Sequence, residues 1–162
     1  MSEATPEAKI GFIGMGVMGK NLALNLADNG YTLAAFDLDR TKVEVAIAQE
    51  RAEAPQAAPR IRGCSSYTEL LAATVSPRII LLSVPAGEPV DHVCAKLIDA
   101  GIQADDIVVD TGNSLWTDTR DREKHYAGKF IFFSTAVSGG EEGARFGPAL
   151  MPSGDPYAWT RL

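Results

Sequence analysis

Cysteine is scarce in this sequence: two among 162 residues, Cys64 and Cys94, with no CxxC spacing. Two such residues exclude a disulfide framework and a cysteine-built zinc site, and the expectation is a pair of buried or idle thiols. No apolar run approaches the roughly 20 residues of a membrane span, so no membrane partner is expected. The start, Met1 to Ala8, has acids and a proline where a secretory signal would have basic and then apolar residues, and the expected location is cytoplasmic. A basic cluster is also missing. Fifteen Lys and Arg face 21 Asp and Glu, for a formal net charge of −6, which argues against a nucleic-acid partner while leaving room for a pocket that holds one phosphate. The two histidines, His92 and His125, fall in helical stretches and read as surface residues.

What is there alternates. Short apolar runs at 10–13, 32–36, 79–84, 107–109 and 130–133 read as strands, and their near-continuous apolar character indicates burial on both faces of a parallel sheet. Between them, helices are expected over 18–29, stopped by Gly30; over 41–49, with Asp39 as cap; after the capping box Ser66 to Glu69; and over 89–100 and 117–127. Residues 51–59, rich in Ala, Pro and charge, read as a surface loop. The fold class is therefore α/β: a Rossmann-like, doubly wound, mostly parallel sheet forming one domain over 1–162. At the end, Asp155 and Pro156 read as an N-cap and first helical residue of a helix only just begun. The expectation is a chain cut inside an element of a longer protein.

The strongest local signal is Gly14-Met15-Gly16-Val17-Met18-Gly19, set directly after a strand and opening a helix. Gly14 permits the tight turn, Gly16 lets backbone approach a pyrophosphate, and Gly19 lets the helix lie close to the strand. The pyrophosphate would rest on the free N–H groups at the helix start. Asp37, just past the second strand, is placed to accept hydrogen bonds from both adenosine ribose hydroxyls, and its charge repels a 2′-phosphate. Asp39 adds a second negative charge, which Arg40 and Lys42 partly offset. The expected cofactor is NAD in preference to NADP.

Ligands in such a sheet bind at the carboxyl ends of the strands, so later turns matter. Ser83-Val84-Pro85-Ala86-Gly87 offers a small-residue loop for the nicotinamide half. Asp110-Thr111-Gly112-Asn113-Ser114 presents an amide. The run from Ala136 through Ser138, Gly139 and Gly140 to Arg145 offers a hydroxyl and consecutive N–H groups, a nest for a carboxylate or phosphate.

Three runs, Gly14 to Asp28, Asp110 to Ser114 and Val137 to Gly154, resemble the amino-terminal domain of the 6-phosphogluconate dehydrogenase family, with the likeness spanning 9–159. The first run and Ser138-Gly139-Gly140 are shared with the wider β-hydroxyacid dehydrogenases. The extension from Glu141 to Arg145, with the later Gly-Pro and Met-Pro, is what favours the phosphogluconate branch. The resemblance implies a cofactor diphosphate on Gly14 through Gly19 and a cofactor-selecting turn at Asp37, Leu38 and Asp39. The NADP enzymes carry Asn-Arg-Thr at that turn. It further implies a cofactor loop at Val84, Pro85 and Ala86 with proline in place of lysine, a cofactor–substrate junction at Asn113, and substrate binding at Ser138, Gly139 and Gly140.

The implied reaction oxidises the C3 hydroxyl of 6-phosphogluconate by hydride transfer to the nicotinamide. Loss of CO2 from the resulting β-keto acid then yields ribulose 5-phosphate, and no metal is required. The general-base lysine and general-acid glutamate belong to a helical carboxy-terminal domain expected beyond residue 162, so this chain by itself is expected to be inactive. That missing domain would also supply most of the family's homodimer contact. Lys20, Lys96 and Lys124 read as surface charges, and Glu141 and Glu142, near the cleft, lack a basic partner. Two alternatives stay open: a dehydrogenase domain for a smaller β-hydroxyacid of the 3-hydroxyisobutyrate type, and a non-catalytic dinucleotide-binding module.

Overall fold

Short apolar runs become strands here with helices packed on both faces of the sheet, one groove on the second face excepted. The computed structural model describes residues 8–162. Among them, β1 (Ile10–Ile13), β2 (Leu33–Phe36), β3 (Ile61–Gly63), β4 (Ile79–Leu82), β5 (Ile107–Asp110), β6 (Ile131–Ser138) and β7 (Ala149–Ser153) form one sheet in the order β3-β2-β1-β4-β5-β6-β7. The first six are parallel to their neighbours, and β7 runs antiparallel to β6, pairing Ser134 with Ser153 and Ser138 with Ala149. The helices are α1 (Val17–Asp28), α2 (Arg40–Glu53), α3 (Tyr67–Ala73), α4 (Glu88–Asp99), α5 (Trp116–Tyr126), α6 (Gly140–Phe146) and α7 (Pro156–Arg161).

Alternate strand residues feed two cores. Ile13, Ala34, Phe36, Ile80, Leu82, Val108 and Phe132 pack with α3, α4 and Tyr126 on one face. Phe12, Leu33 and Ala35 pack with α1 and α2 on the other, where Ile107, Val109 and Phe133 meet Ala158 of α7. This is the Rossmann-like arrangement expected from the alternation of apolar runs and helices. Between α1 and α7 the second face stays open as an apolar groove of about 580 Å³, with Leu22, Leu26, Leu81, Val109, Val137 and Trp159 among its walls.

The differences from expectation have local causes. Residues 51–53 continue α2, whose Glu50 is buried and accepts from the N–H groups of Arg60 (2.7 Å) and Ile61 (3.2 Å). That carboxylate brings the incoming chain to β3, a three-residue strand too short to show a period. β4 stops at Leu82, which frees Ser83 and Val84 for the following loop. Past Phe133, β6 runs on for five residues because β7 supplies its partner, although every residue of β7 is exposed and none carries an alternating pattern. The caps follow the sequence: Asp39, Ser66 and Asp155 accept from the N–H groups of Thr41, Glu69 and Tyr157. Cys64 and Cys94 are free and buried, and burial pushes their thiols up to about 11 and 12. No helix among the described residues is long and apolar enough to cross a membrane.

Candidate functional site

Strand order reverses between β1 and β4, so the chain leaves these neighbours in opposite directions and their carboxyl ends frame a crevice. A cleft of about 560 Å³ occupies it, within the ordinary range for small-molecule sites. One wall is Ile13, Gly14 and Gly16; the second is Phe36, Asp37, Leu38, Lys42 and Tyr67; the third is Ser83, Val84 and Pro85 with Glu88, Pro89, His92 and Val93 of α4.

The glycine loop is shaped by two collisions and one open space. A Cβ on Gly14, whose φ is 95°, would strike the Ser83 carbonyl, and one on Gly19 would strike the carbonyl of Gly14. Neither position admits another residue without moving backbone. Gly16 differs: no atom lies within 4 Å of its would-be Cβ, its φ is −65°, and it begins α1 with no side-chain cap. The cleft therefore reaches the uncapped start of α1 at Gly16, and the N–H groups of a helix's first turn are the kind of donors a diphosphate requires. Met15 is buried, Val17 is exposed and Met18 is half-buried; these three and Gly19 build the loop without lining the cleft.

Asp37 lies beside this loop, just past the end of β2. One carboxylate oxygen, Oδ2, accepts from the Met15 N–H at 2.7 Å, and Oδ1 accepts from the Asp39 N–H at 2.8 Å. The acid thus braces the glycine loop while keeping acceptor capacity toward the cleft, since a carboxylate can take about four hydrogen bonds. Leu38 is 81% exposed and lines the cleft. Asp39 points elsewhere: it caps α2, and the Thr41 hydroxyl (2.6 Å) and N–H (3.1 Å) hold its carboxyl below the usual range. Tyr67 closes this end, its ring 4.6 Å from that of Phe36. Burial first and the Asp37 charge second push its phenol upward.

Val84 and Pro85 line the third wall, and Ala86 is exposed just beyond. Asn113 and Ser138-Gly139-Gly140 are not part of this cleft. They lie further along the same sheet edge, past the carboxyl ends of β5 and at the end of β6, and all four are exposed. The turn that carries Asn113 is organised by Asp110, which is fully buried and accepts from the Gly112 N–H (2.9 Å) and the Ser114 hydroxyl (2.5 Å). Gly139 (φ 121°) and Gly140 (φ 65°) turn the chain from β6 into α6. α6 is fastened to α1: Asn21 donates to Glu141 (3.3 Å) and Asn25 to the Arg145 carbonyl (3.0 Å). Arg145 is buried and bridges Asp28 and Glu53, both at 2.6 Å.

Sequence reading alone did not single out Tyr67, Glu88, Pro89 or His92 as cleft residues, and marked Lys42 only as a charge that partly offsets Asp39. They come from the outer turns of α2, α3 and α4, where periodicity marks only the buried stripe. Asp110 and Arg145 stood inside recognised runs but carried no separate signal.

Relatives reinforce the geometry. A 6-phosphogluconate dehydrogenase (decarboxylating) of Schizosaccharomyces pombe is 42% identical over 159 residues, and the human one 40% over 157; each match covers 96% of this chain. The chain spans 30% and 31% of those relatives' lengths. Among solved structures, a Plasmodium falciparum 6-phosphogluconate dehydrogenase, studied with NADP+ and with 6-phosphogluconate, superposes with a TM-score of 0.85 at 29% identity. That match covers 94% of this chain and 32% of that one. A Mycobacterium tuberculosis 3-hydroxyisobutyrate dehydrogenase shares the fold, with a TM-score of 0.79 at 24% identity over 96% of this chain and 49% of that one. The family described as the NAD binding domain of 6-phosphogluconate dehydrogenase matches residues 9–162, and this chain belongs to it.

Proposed function

We propose that the chain is the cofactor-holding part of an enzyme that oxidatively decarboxylates 6-phosphogluconate, and that it takes NAD in preference to NADP. The observation that carries this reading is the cleft itself: open space over Gly16 at the uncapped start of α1, beside the Asp37 carboxylate that is hydrogen-bonded to the same loop. When bound, the nicotinamide dinucleotide accepts the hydride released from the substrate carbinol. The chain's own residues do the rest of the binding work. The α1 N-terminus holds the diphosphate, Asp37 accepts from the ribose hydroxyls, and Val84 and Pro85 wall the nicotinamide side. Asn113 and Ser138 to Gly140 line the path of the substrate at the same sheet edge.

Two side chains bear on cofactor choice. Leu38 offers no charge where a 2′-phosphate would sit, and Asp37 repels one, whereas Lys42 is a cation on the same wall. Asp37 lies nearer the glycine loop that fixes the diphosphate, to which it is hydrogen-bonded, so the repulsion dominates. Calorimetric titration of the purified chain with both cofactors tests this; equal affinities defeat the NAD preference. On this reading the general base and acid, a lysine and a glutamate, belong to a part of the enzyme outside this chain, which spans 30% of the Schizosaccharomyces pombe relative's length. Accordingly the 162-residue chain binds cofactor but reduces none when given 6-phosphogluconate, as followed by nicotinamide absorbance. Turnover by a longer gene product with 3-hydroxyisobutyrate and not with 6-phosphogluconate would replace the substrate assignment.

A further inference from the structure

The third wall of the cleft is held from behind by a residue that never reaches the cleft. Arg122, in the middle of α5, is 6% exposed, and its fork grips Asp91 in the first turn of α4: Nε donates to Oδ1 and Nη2 to Oδ2, both at 2.8 Å. Nη2 also donates to the Gly87 carbonyl at 3.0 Å. Gly87 is where the cofactor loop ends and α4 begins. Its φ is 94°, it has no side-chain cap to offer, and its carbonyl also takes the Val90 N–H at 3.0 Å. Tyr126, one turn on from Arg122, donates to Asp91 Oδ1 at 3.3 Å. One face of α4 therefore presents Pro89, His92 and Val93 to the cleft while Asp91 and the helix start are pinned to α5.

This arrangement is a poor device for stability. Nη1 of Arg122 is buried with no hydrogen-bond partner among the described residues, and Asp91 is 48% exposed on its side chain, so its attraction is screened. A buried guanidinium with an unsatisfied nitrogen carries a desolvation cost that an apolar side chain of similar volume would not. What an apolar residue cannot do is hold a loop carbonyl and a helix carboxylate at once in one rigid plane.

Resting on the cofactor reading above, we propose that Arg122 is a positioning residue for the dinucleotide: through Gly87 and Asp91 it sets the loop Ser83–Gly87 and the start of α4 at the distance from the glycine loop that the bound cofactor needs.

The test compares NAD, which spans the cleft, with inorganic pyrophosphate, which reaches only the glycine loop. Affinities are measured for the wild-type chain and for Arg122→Met, Arg122→Lys and Asp91→Asn, by calorimetry for NAD and NMR titration for pyrophosphate, with melting temperature as the control for folding. The expected result is about a tenfold loss of NAD affinity in Arg122→Met, the scale of one charge-assisted hydrogen bond. Pyrophosphate binding stays at the wild-type value, and Arg122→Lys recovers part of the loss. Asp91→Asn, nearly isosteric at a half-exposed site, loses NAD affinity in the same direction and decides the matter if Arg122→Met does not fold. Unchanged NAD affinity in folded variants overturns the proposal and leaves the cofactor reading standing. A parallel fall for NAD and pyrophosphate that follows the melting temperature reduces Arg122 to a structural role and also overturns it. A wild-type chain that binds no dinucleotide removes both.

Discussion

Gly16 and Asp37 divide the work of the glycine loop between the protein and what it binds. Gly14 and Gly19 are glycine because the protein's own carbonyls leave no space, whereas nothing in the protein opposes a side chain at Gly16. Gly16→Ala should therefore leave the melting temperature within about 4 °C of wild type, a Gly-to-Ala change at an allowed φ being worth under about 1 kcal/mol. NAD affinity should still fall by more than tenfold in calorimetry, because the new methyl would sit where the proposed function brings the diphosphate. A variant that binds NAD normally would show that the diphosphate does not come near Gly16. Asp37 has two duties, and their loss can be separated. Asp37→Ala releases the Met15 N–H as well as the repulsion of a 2′-phosphate, so NAD should weaken about tenfold, on the scale of a hydrogen bond to a charged group, while NADP weakens less. The ratio of the two affinities then moves toward NADP; a constant ratio would mean that Asp37 only braces the loop.

Among the elements, α6 matters beyond its seven residues because it follows directly on Ser138 and Gly139, begins at Gly140 and holds Arg145 near its end. The Arg145 guanidinium draws α6, α1 and α2 together through Asp28 and Glu53, which are about half exposed. Replacing it with methionine keeps the buried stem but drops both charged bonds, and should cost about 2 kcal/mol in urea unfolding. A smaller cost, under about 0.5 kcal/mol, would place the pair with ordinary surface ion pairs. These helix-to-helix carboxylates also set the acid limit. Arg122 holds the Asp91 carboxyl below its ordinary range, and Gln49 and then Arg145 do the same for Glu53. A lowered carboxylate stabilises above its unfolded pKa and loses that contribution as pH falls through the folded one. Melting temperature should thus hold down to about pH 5 and drop below about pH 4, with Asp91→Asn giving a shallower acid limb.

At the scale of the whole molecule the cofactor cleft is a seam between the two halves of the sheet, β1 with its glycine loop and β4 with α4. A ligand that binds the folded state across this seam stabilises it by mass action. NAD at about one hundred times its dissociation constant should add about 2.7 kcal/mol, or some 5–10 °C in melting temperature for a domain of this size. A flat melting temperature across that titration would mean that the cleft does not close on NAD. Much of the arrangement was legible beforehand. Five of the seven strands, the parallel sheet and the glycine loop announce themselves in runs of three to six residues, because burial on both faces and φ-restricted turns leave local marks. β3 was hidden by its length, β7 by its full exposure, and α6 by its opening glycines, which read as a nest of N–H groups.

The sequence by itself determined the fold class, the place of the glycine loop, the acid at the end of β2 and the caps of α2, α3 and α7. All of these depend on residues a few positions apart or on short, nearly continuous apolar runs. Tertiary structure alone decided that Asp37 turns one oxygen back to Met15, 22 positions away, that Arg122 reaches 31 positions to Asp91, and that Arg145 reaches 117 positions to Asp28. Such pairs leave no local pattern, because a side-chain fork finds its acceptor only after the sheet has set the distance between helices.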